Sequence, residues 1–175
     1  LAKGPYSYLL ESAQGGEKWG RYSIIGLPAR TIIKVHGNRI EVITDKEVVE
    51  SVESEDPLTF IEAFQARFNV TETEGLPRFF GGLVGYFGYD TVRYVEKKLA
   101  NSAPKDTLNT PDIVLMVSEE VVVFDNLKGR MQMISLVDPD ITNSIDDMQS
   151  KLSARAESLS LPVTGIEHGN ANQVI

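Results

Sequence analysis

The sequence predicts an α+β fold: antiparallel sheets, built from a meander and hairpins in a sandwich-like arrangement, with two main helices. Three observations carry this. Strand-like segments follow one another with tight-turn residues between them, and two segments of helical periodicity stand apart. The strict alternation of strand and helix that a parallel sheet requires is missing. No internal repeat is apparent, which argues against a solenoid.

Tyr6–Glu11 alternates weakly and is rich in Tyr and Leu, as strands are, and Gln14-Gly15-Gly16-Glu17 breaks it as a turn. Ser23–Leu27 is a short apolar run stopped by Pro28, which predicts a buried or edge strand. Thr31–Val35 and Arg39–Ile43 flank His36-Gly37-Asn38, where Gly and Asn accept the positive φ of a tight hairpin turn. Glu47–Val52 extends this hairpin into a meander. Asp56-Pro57 marks a helix start, because Asp caps free N–H groups and Pro tolerates the first helical position. Leu58, Ile61, Phe64 and Phe68 then give that helix one apolar face.

A loop over 69–78 leads into Gly81-Gly82-Leu83-Val84-Gly85-Tyr86-Phe87-Gly88-Tyr89-Asp90. The stretch 97–111 is polar and reads as a surface loop. Residues 112–125 are an almost continuous run of β-formers, and Asn126-Leu127-Lys128-Gly129 turns it back into Arg130–Val137 as a second hairpin. Ile141, Ile145, Met148, Leu152, Ala156 and Leu159 recur at helical spacing, and Pro162 follows their end.

Length and composition bound the function. The chain has 175 residues, room for one ordinary domain, with 42% hydrophobic and 24% charged residues, as globular domains have. It has no Cys, which excludes disulfide scaffolds, zinc ribbons and thiol nucleophiles and fits a reducing, cytoplasmic compartment. A net charge of −8 argues against nucleic acid and anionic membranes as partners. No stretch has the roughly 18–20 apolar residues of a membrane span, and no secretory signal is visible. The chain begins at Leu1 instead of Met and ends in a polar, aperiodic tail. The expectation is one domain over 1–162 and a linker over 163–175 toward a missing C-terminal domain.

Most polar clusters read as surface. His36 lies in a hairpin turn and His168 in the tail, neither with partners at the spacing of a triad or metal site. Glu53-Ser54-Glu55-Asp56, Asp138-Pro139-Asp140 and Asp146-Asp147 lack calcium-loop spacing. Asn69-Val70-Thr71 matches a glycosylation acceptor without a secretory context. The glycine run 81–88 lacks the Gly-Lys-Ser/Thr ending of a phosphate loop. Its glycines are separated by bulky apolar and aromatic residues, which suits a bent, buried strand closely approached by another chain segment. The N-terminal stretch is the most informative. Leu9-Leu10-Glu11-Ser12 places a carboxylate and a hydroxyl at the end of an apolar strand, and Trp19-Gly20-Arg21-Tyr22-Ser23 adds aromatics, a cation and a hydroxyl. Polar groups beside apolar walls suit an amphiphilic ligand such as an aromatic amino acid; the bland alternative is a strand end with its turn.

Leu9-Leu10-Glu11-Ser12 followed by Gly20-Arg21-Tyr22-Ser23-Ile24-Ile25-Gly26 resembles the start of anthranilate synthase component I. Gly81–Asp90, with Arg93-Tyr94 just after it, is similar to the second hallmark of that region. The two motifs cover most of 5–95 in the family's order, and the resemblance fades after Lys97.

The resemblance implies a lyase of tryptophan biosynthesis. It converts chorismate and ammonia, the latter from glutamine through an amidotransferase subunit (component II), into anthranilate and pyruvate. It places the Mg2+-binding carboxylates and the chorismate-contacting groups in the C-terminal catalytic domain. This chain is then expected to carry no catalytic or metal-binding residue and no cofactor, and to be inactive alone. The resemblance further implies that this region supplies part of the feedback site for L-tryptophan, with Leu10, Glu11 and Ser12 as pocket residues completed by the protein's own catalytic domain. Arg21 and Tyr22 are candidates to line or brace it. A similar region of aminodeoxychorismate synthase component I and a stand-alone amino-acid-binding module are the alternatives.

Overall fold

A computed structural model of the chain describes residues 4–13, 19–68, 70, 74–100, 102, 106–136 and 145–158. In chain order these form β1 (Tyr8–Ala13), β2 (Trp19–Gly26), β3 (Thr31–His36), β4 (Arg39–Thr44), β5 (Glu47–Glu53) and α1 (Pro57–Gln65). There follow β6 (Gly82–Phe87), the short α2 (Val92–Val95), β7 (Ile113–Ser118), β8 (Glu120–Asp125), β9 (Arg130–Ser135) and α3 (Ile145–Ser158). The strands make two antiparallel sheets, ordered β5-β4-β3-β7-β6 and β1-β2-β8-β9, so the α+β class stands. The chain divides into two units, each gathered from separated segments.

One unit comprises Ala29–Phe68 and Gly82–Val117 and holds the five-stranded sheet. The β3–β4 hairpin closes at Gly37-Asn38 as the sequence predicts, with Gly37 at a φ of +53° that a residue with a Cβ adopts at a cost. His36 is paired with Arg39 at the end of the ladder instead of lying in the turn. The Asp56 side chain accepts the Thr59 N–H at 3.1 Å and the Thr59 hydroxyl at 2.8 Å, which starts α1 at Pro57. Ile61 and Phe64 of α1 are buried with Ile33, Val35, Ile113 and Leu115 of the sheet. Each such side chain contributes about 1.5–3 kcal/mol by leaving water.

The helix ends earlier than its apolar pattern. Arg67 and Phe68 donate to the carbonyls three residues back, a tightening that ends the α-helix and leaves the Phe68 side chain exposed. The glycine-rich stretch also differs from expectation. It forms β6 at a sheet edge, with Leu83 and Val84 half-buried and Tyr86 and Phe87 exposed instead of buried. The expected close approach is present: a Cβ on Gly85 would overlap the Val114 carbonyl of β7. Tyr89–Thr91, α2 and Lys97–Leu99 then form single helical turns, which the sequence pattern does not announce.

The other unit comprises Leu1–Pro28, Asn69–Gly81 and Ser118–Ile175 and holds the four-stranded sheet. The β-forming run 112–125 is two strands, broken at Glu119, with β7 in one sheet and β8 in the other. The backbone groups at the break are satisfied: the Leu136 N–H donates to the Glu119 carbonyl at 2.7 Å and the Leu27 N–H to the Glu120 carbonyl at 3.0 Å. β8 turns back into β9 as predicted. β2 begins at Trp19, earlier than its apolar run, and lies between β1 and β8, which settles the buried-or-edge alternative in favour of an interior strand. Val121, Val123 and Ile134 form the core of this sheet, with Tyr8, Tyr22, Ile24, Phe79 and Phe80 packed against it. Arg155 of α3 is paired with Glu120 at 3.2 Å. No helix among the described residues is long and apolar enough to cross a membrane. The predicted turn at 14–17, Asp138-Pro139-Asp140, Ile141, Leu159, Pro162 and the tail with His168 lie outside the described residues.

Candidate functional site

The predicted site residues lie on β1 and at the start of β2. The two strands pair regularly from Tyr8↔Gly26 to Glu11↔Ser23, and the next pair is Ala13↔Trp19. Ser12 therefore stands alone opposite Gly20, Arg21 and Tyr22, in a ladder irregularity that re-aims side chains. Its Oγ accepts the Tyr22 backbone N–H at 2.9 Å. A Cβ on Gly20 would overlap the carbonyl oxygen and the Oγ of Ser12. Glycine at 20 is thus required by space: the Ser12 backbone occupies the volume that any larger residue would fill.

Strand alternation divides the three predicted pocket residues. Directly paired residues share a face, so Leu10 lies with Ile24 on the face of Tyr8 and Tyr22, whereas Glu11 lies with Ser23 on the opposite face. All three are exposed, Leu10 by 44%. The Leu10 face is anchored at its far end by Tyr8, whose ring lies over Gly26 in the space a Cβ there would occupy. Tyr8 and Ser118 share a 2.6 Å hydroxyl–hydroxyl hydrogen bond, and burial pushes the Tyr8 phenol above its ordinary range. β1 is also an edge strand among the described residues, so one side of its backbone lies open beside Leu10, Glu11 and Ser12.

Arg21 and Tyr22 are structural neighbours of this edge. The Arg21 guanidinium donates to both oxygens of Asp125, at 3.4 and 3.1 Å, and lies 4.8 Å from the centre of the Tyr22 ring. Asp125 is 6% exposed and also accepts the Leu127 and Lys128 N–H groups, at 3.2 and 3.1 Å, which shapes the β8–β9 turn. The guanidinium, with those N–H groups, holds the Asp125 carboxyl below the usual carboxylate range. Asn126 completes the brace: its N–H donates to the Arg21 carbonyl at 2.8 Å and its Nδ2 to the Gly20 carbonyl at 3.0 Å. Arg21 is spent on this brace, and Tyr22 packs on the core of the sheet.

Asp125 and Asn126 are the supporting residues that the sequence reading misses. They stand 104 to 106 positions from their partners, and nothing in one sequence links them. Of the acidic clusters, Asp56 is the α1 cap and Asp147 is paired with Lys151 at 2.8 Å. Among the described residues no group of three or more His, Asp or Glu side chains is placed to hold a metal ion.

No family model matches the chain. It is 57% identical over 164 residues to anthranilate synthase component 1 of Pseudomonas putida and 54% identical to that of Pseudomonas aeruginosa, each match covering 94% of the chain and 33% of the relative. The crystal structure of anthranilate synthase component I from Streptococcus pneumoniae superposes with a TM-score of 0.63 at 26% identity, over 93% of this chain and 33% of that one. The chain spans about a third of the length of the curated relatives it matches.

Proposed function

We propose that this chain, which corresponds to the N-terminal region of anthranilate synthase component 1, supplies one wall of an L-tryptophan feedback site in that enzyme. The full-length protein would convert chorismate and ammonia into anthranilate and pyruvate in the cytoplasm, the ammonia coming from glutamine through an amidotransferase partner. The catalytic groups and Mg2+ site would lie in the two thirds of the relatives that this chain does not span. The chain alone would then be inactive.

The observation that carries the reading is the exposed end of β1. An apolar side chain, a carboxylate and a hydroxyl sit together on an edge strand whose position is fixed through Ser12, Gly20 and the Arg21–Asp125 pair. A ligand lying along a strand edge meets side chains from both faces as well as backbone N–H and C=O groups. Glu11 suits the ammonium of an α-amino acid, Ser12 and backbone groups its carboxylate, and Leu10 an indole. Inhibition follows when tryptophan binds one arrangement of regulatory and catalytic parts better than another; a coupling of about 1–3 kcal/mol lowers activity roughly 5- to 150-fold.

The test is an assay of the full-length protein with chorismate, Mg2+ and ammonia, following anthranilate by fluorescence during a tryptophan titration. Fluorescent product suppressed by tryptophan supports the reading. Product without suppression removes the feedback role, and chorismate consumption without anthranilate removes the reaction.

A further inference from the structure

The five-stranded sheet has two edges that differ in chemistry. β5 carries Glu47, Glu50 and Glu53 among its seven residues and bulges at Val49, where the register to β4 slips. Charges and bulges of this kind keep an exposed edge from pairing with another chain. β6, Gly82-Leu83-Val84-Gly85-Tyr86-Phe87, carries no charge, and among the described residues it pairs only with β7. The chain that follows adds to its apolar surface. Tyr86 is 45% exposed, Phe87 53%, and Tyr89 91%.

The edge is held rigidly. Gly85 lets β6 lie directly against the Val114 carbonyl, the Gly88 N–H donates to the Asp112 carbonyl at 2.7 Å, and the Tyr86 hydroxyl donates to the Pro111 carbonyl at 2.9 Å. Arg93 fixes the following turns through Asp90, the Leu99 carbonyl and Ser102, each at 2.8 Å. A rigid, uncharged, aromatic edge with open backbone groups is a template for strand addition. The relatives are about three times as long as this chain, so the full-length protein has ample polypeptide to cover it.

We propose that β6 is a docking edge for the C-terminal portion of the full-length protein, which adds an extended segment to the sheet and receives Phe87 and Tyr89 in an apolar surface. This rests on the chain being the N-terminal region of a longer enzyme, but not on tryptophan binding or on anthranilate formation.

The test uses the full-length protein. Its backbone amides over 82–89 should exchange with deuterium at least tenfold more slowly than those of β5, the uncovered edge. A photo-crosslinking phenylalanine analogue at position 89 should join peptides from beyond residue 175 of the same molecule. Tyr89→Glu should lower the melting temperature, whereas Val49→Glu, an equally apolar-to-charged change on β5, should not. Fast exchange at β6 with a harmless Tyr89→Glu overturns the proposal. So do crosslinks to a second copy, or protection that appears only when the amidotransferase subunit is added. Loss of tryptophan inhibition with β6 still protected would count against the feedback reading and leave this one intact.

Discussion

The Tyr22 backbone N–H donates to the Ser12 Oγ at 2.9 Å, at the point where the β1–β2 ladder loses its regular register. The bond ties the polar end of β1 to the residue beside Arg21, which is in turn held by Asp125. Substitutions at either end of this chain of contacts have separable outcomes.

Gly20→Ala places a methyl group in the volume of the Ser12 carbonyl and Oγ. Overpacking against backbone costs about 1–3 kcal/mol. The expected result is a lower melting temperature together with weakened tryptophan inhibition in the full-length enzyme. Unchanged stability would remove the close Gly20–Ser12 approach from the account.

Glu11→Gln keeps the size of the side chain and removes its charge. Glu11 is exposed and paired in register with Ser23, so folding should be unaffected. A charge-assisted hydrogen bond to a ligand ammonium is worth about 1.5–3 kcal/mol, which corresponds to a rise of roughly 10- to 150-fold in the tryptophan inhibition constant. Chorismate turnover without tryptophan should stay the same, and steady-state kinetics at increasing tryptophan reads both.

Asp125 makes stability depend on pH. Its carboxyl titrates below the ordinary 3.8 because Arg21 and the turn N–H groups favour the charged form. A depressed folded-state value means that the unfolded chain takes up its proton first as pH falls. The stabilisation is therefore complete above the unfolded value and is lost as pH drops from there through the folded value. Denaturation of wild type and Asp125→Asn from pH 7 to pH 2 should give a difference that is constant at neutral pH and shrinks below about pH 4. A difference independent of pH would contradict the Arg21–Asp125 pairing.

Phe64 and Phe68 separate the pattern in the sequence from the helix that forms. Phe64 is buried in the core of its unit, so Phe64→Ala should cost about 3–5 kcal/mol. Phe68 follows the helix end, and its ring meets Phe64 at 5.5 Å. Phe68→Ala should cost only the value of that ring pair, about 0.5–1.5 kcal/mol. Equal losses in chemical denaturation would restore the longer helix face.

The elements that the sequence announces are those set by local chemistry. Gly37-Asn38 dictates the β3–β4 hairpin because the turn needs a positive φ, and Asp56-Pro57 dictates the start of α1 because a cap and a fixed φ act within one turn. The features it hides are non-local. The division of 112–125 at Glu119 depends on bonds from Leu27 and Leu136, and the early start of β2 depends on Ser12 and Asn126. The apolar character of β6 reads as burial because sequence records hydrophobicity and not which sheet edge a strand occupies. At the candidate site, Leu10, Glu11 and Ser12 are marked in the sequence by motif alone, and their distribution over two faces follows from register. The Asp125–Arg21 brace joins residues 104 apart and has no signature in a single chain.

If the end of β1 forms part of a tryptophan site, the full-length protein binds L-tryptophan there, and calorimetric titration measures that binding. Wild type should show saturable binding, and Ser12→Phe, which fills the space beside Tyr22 with an aromatic ring, should show none while still forming anthranilate. Equal binding by the two proteins would place the tryptophan site away from the end of β1.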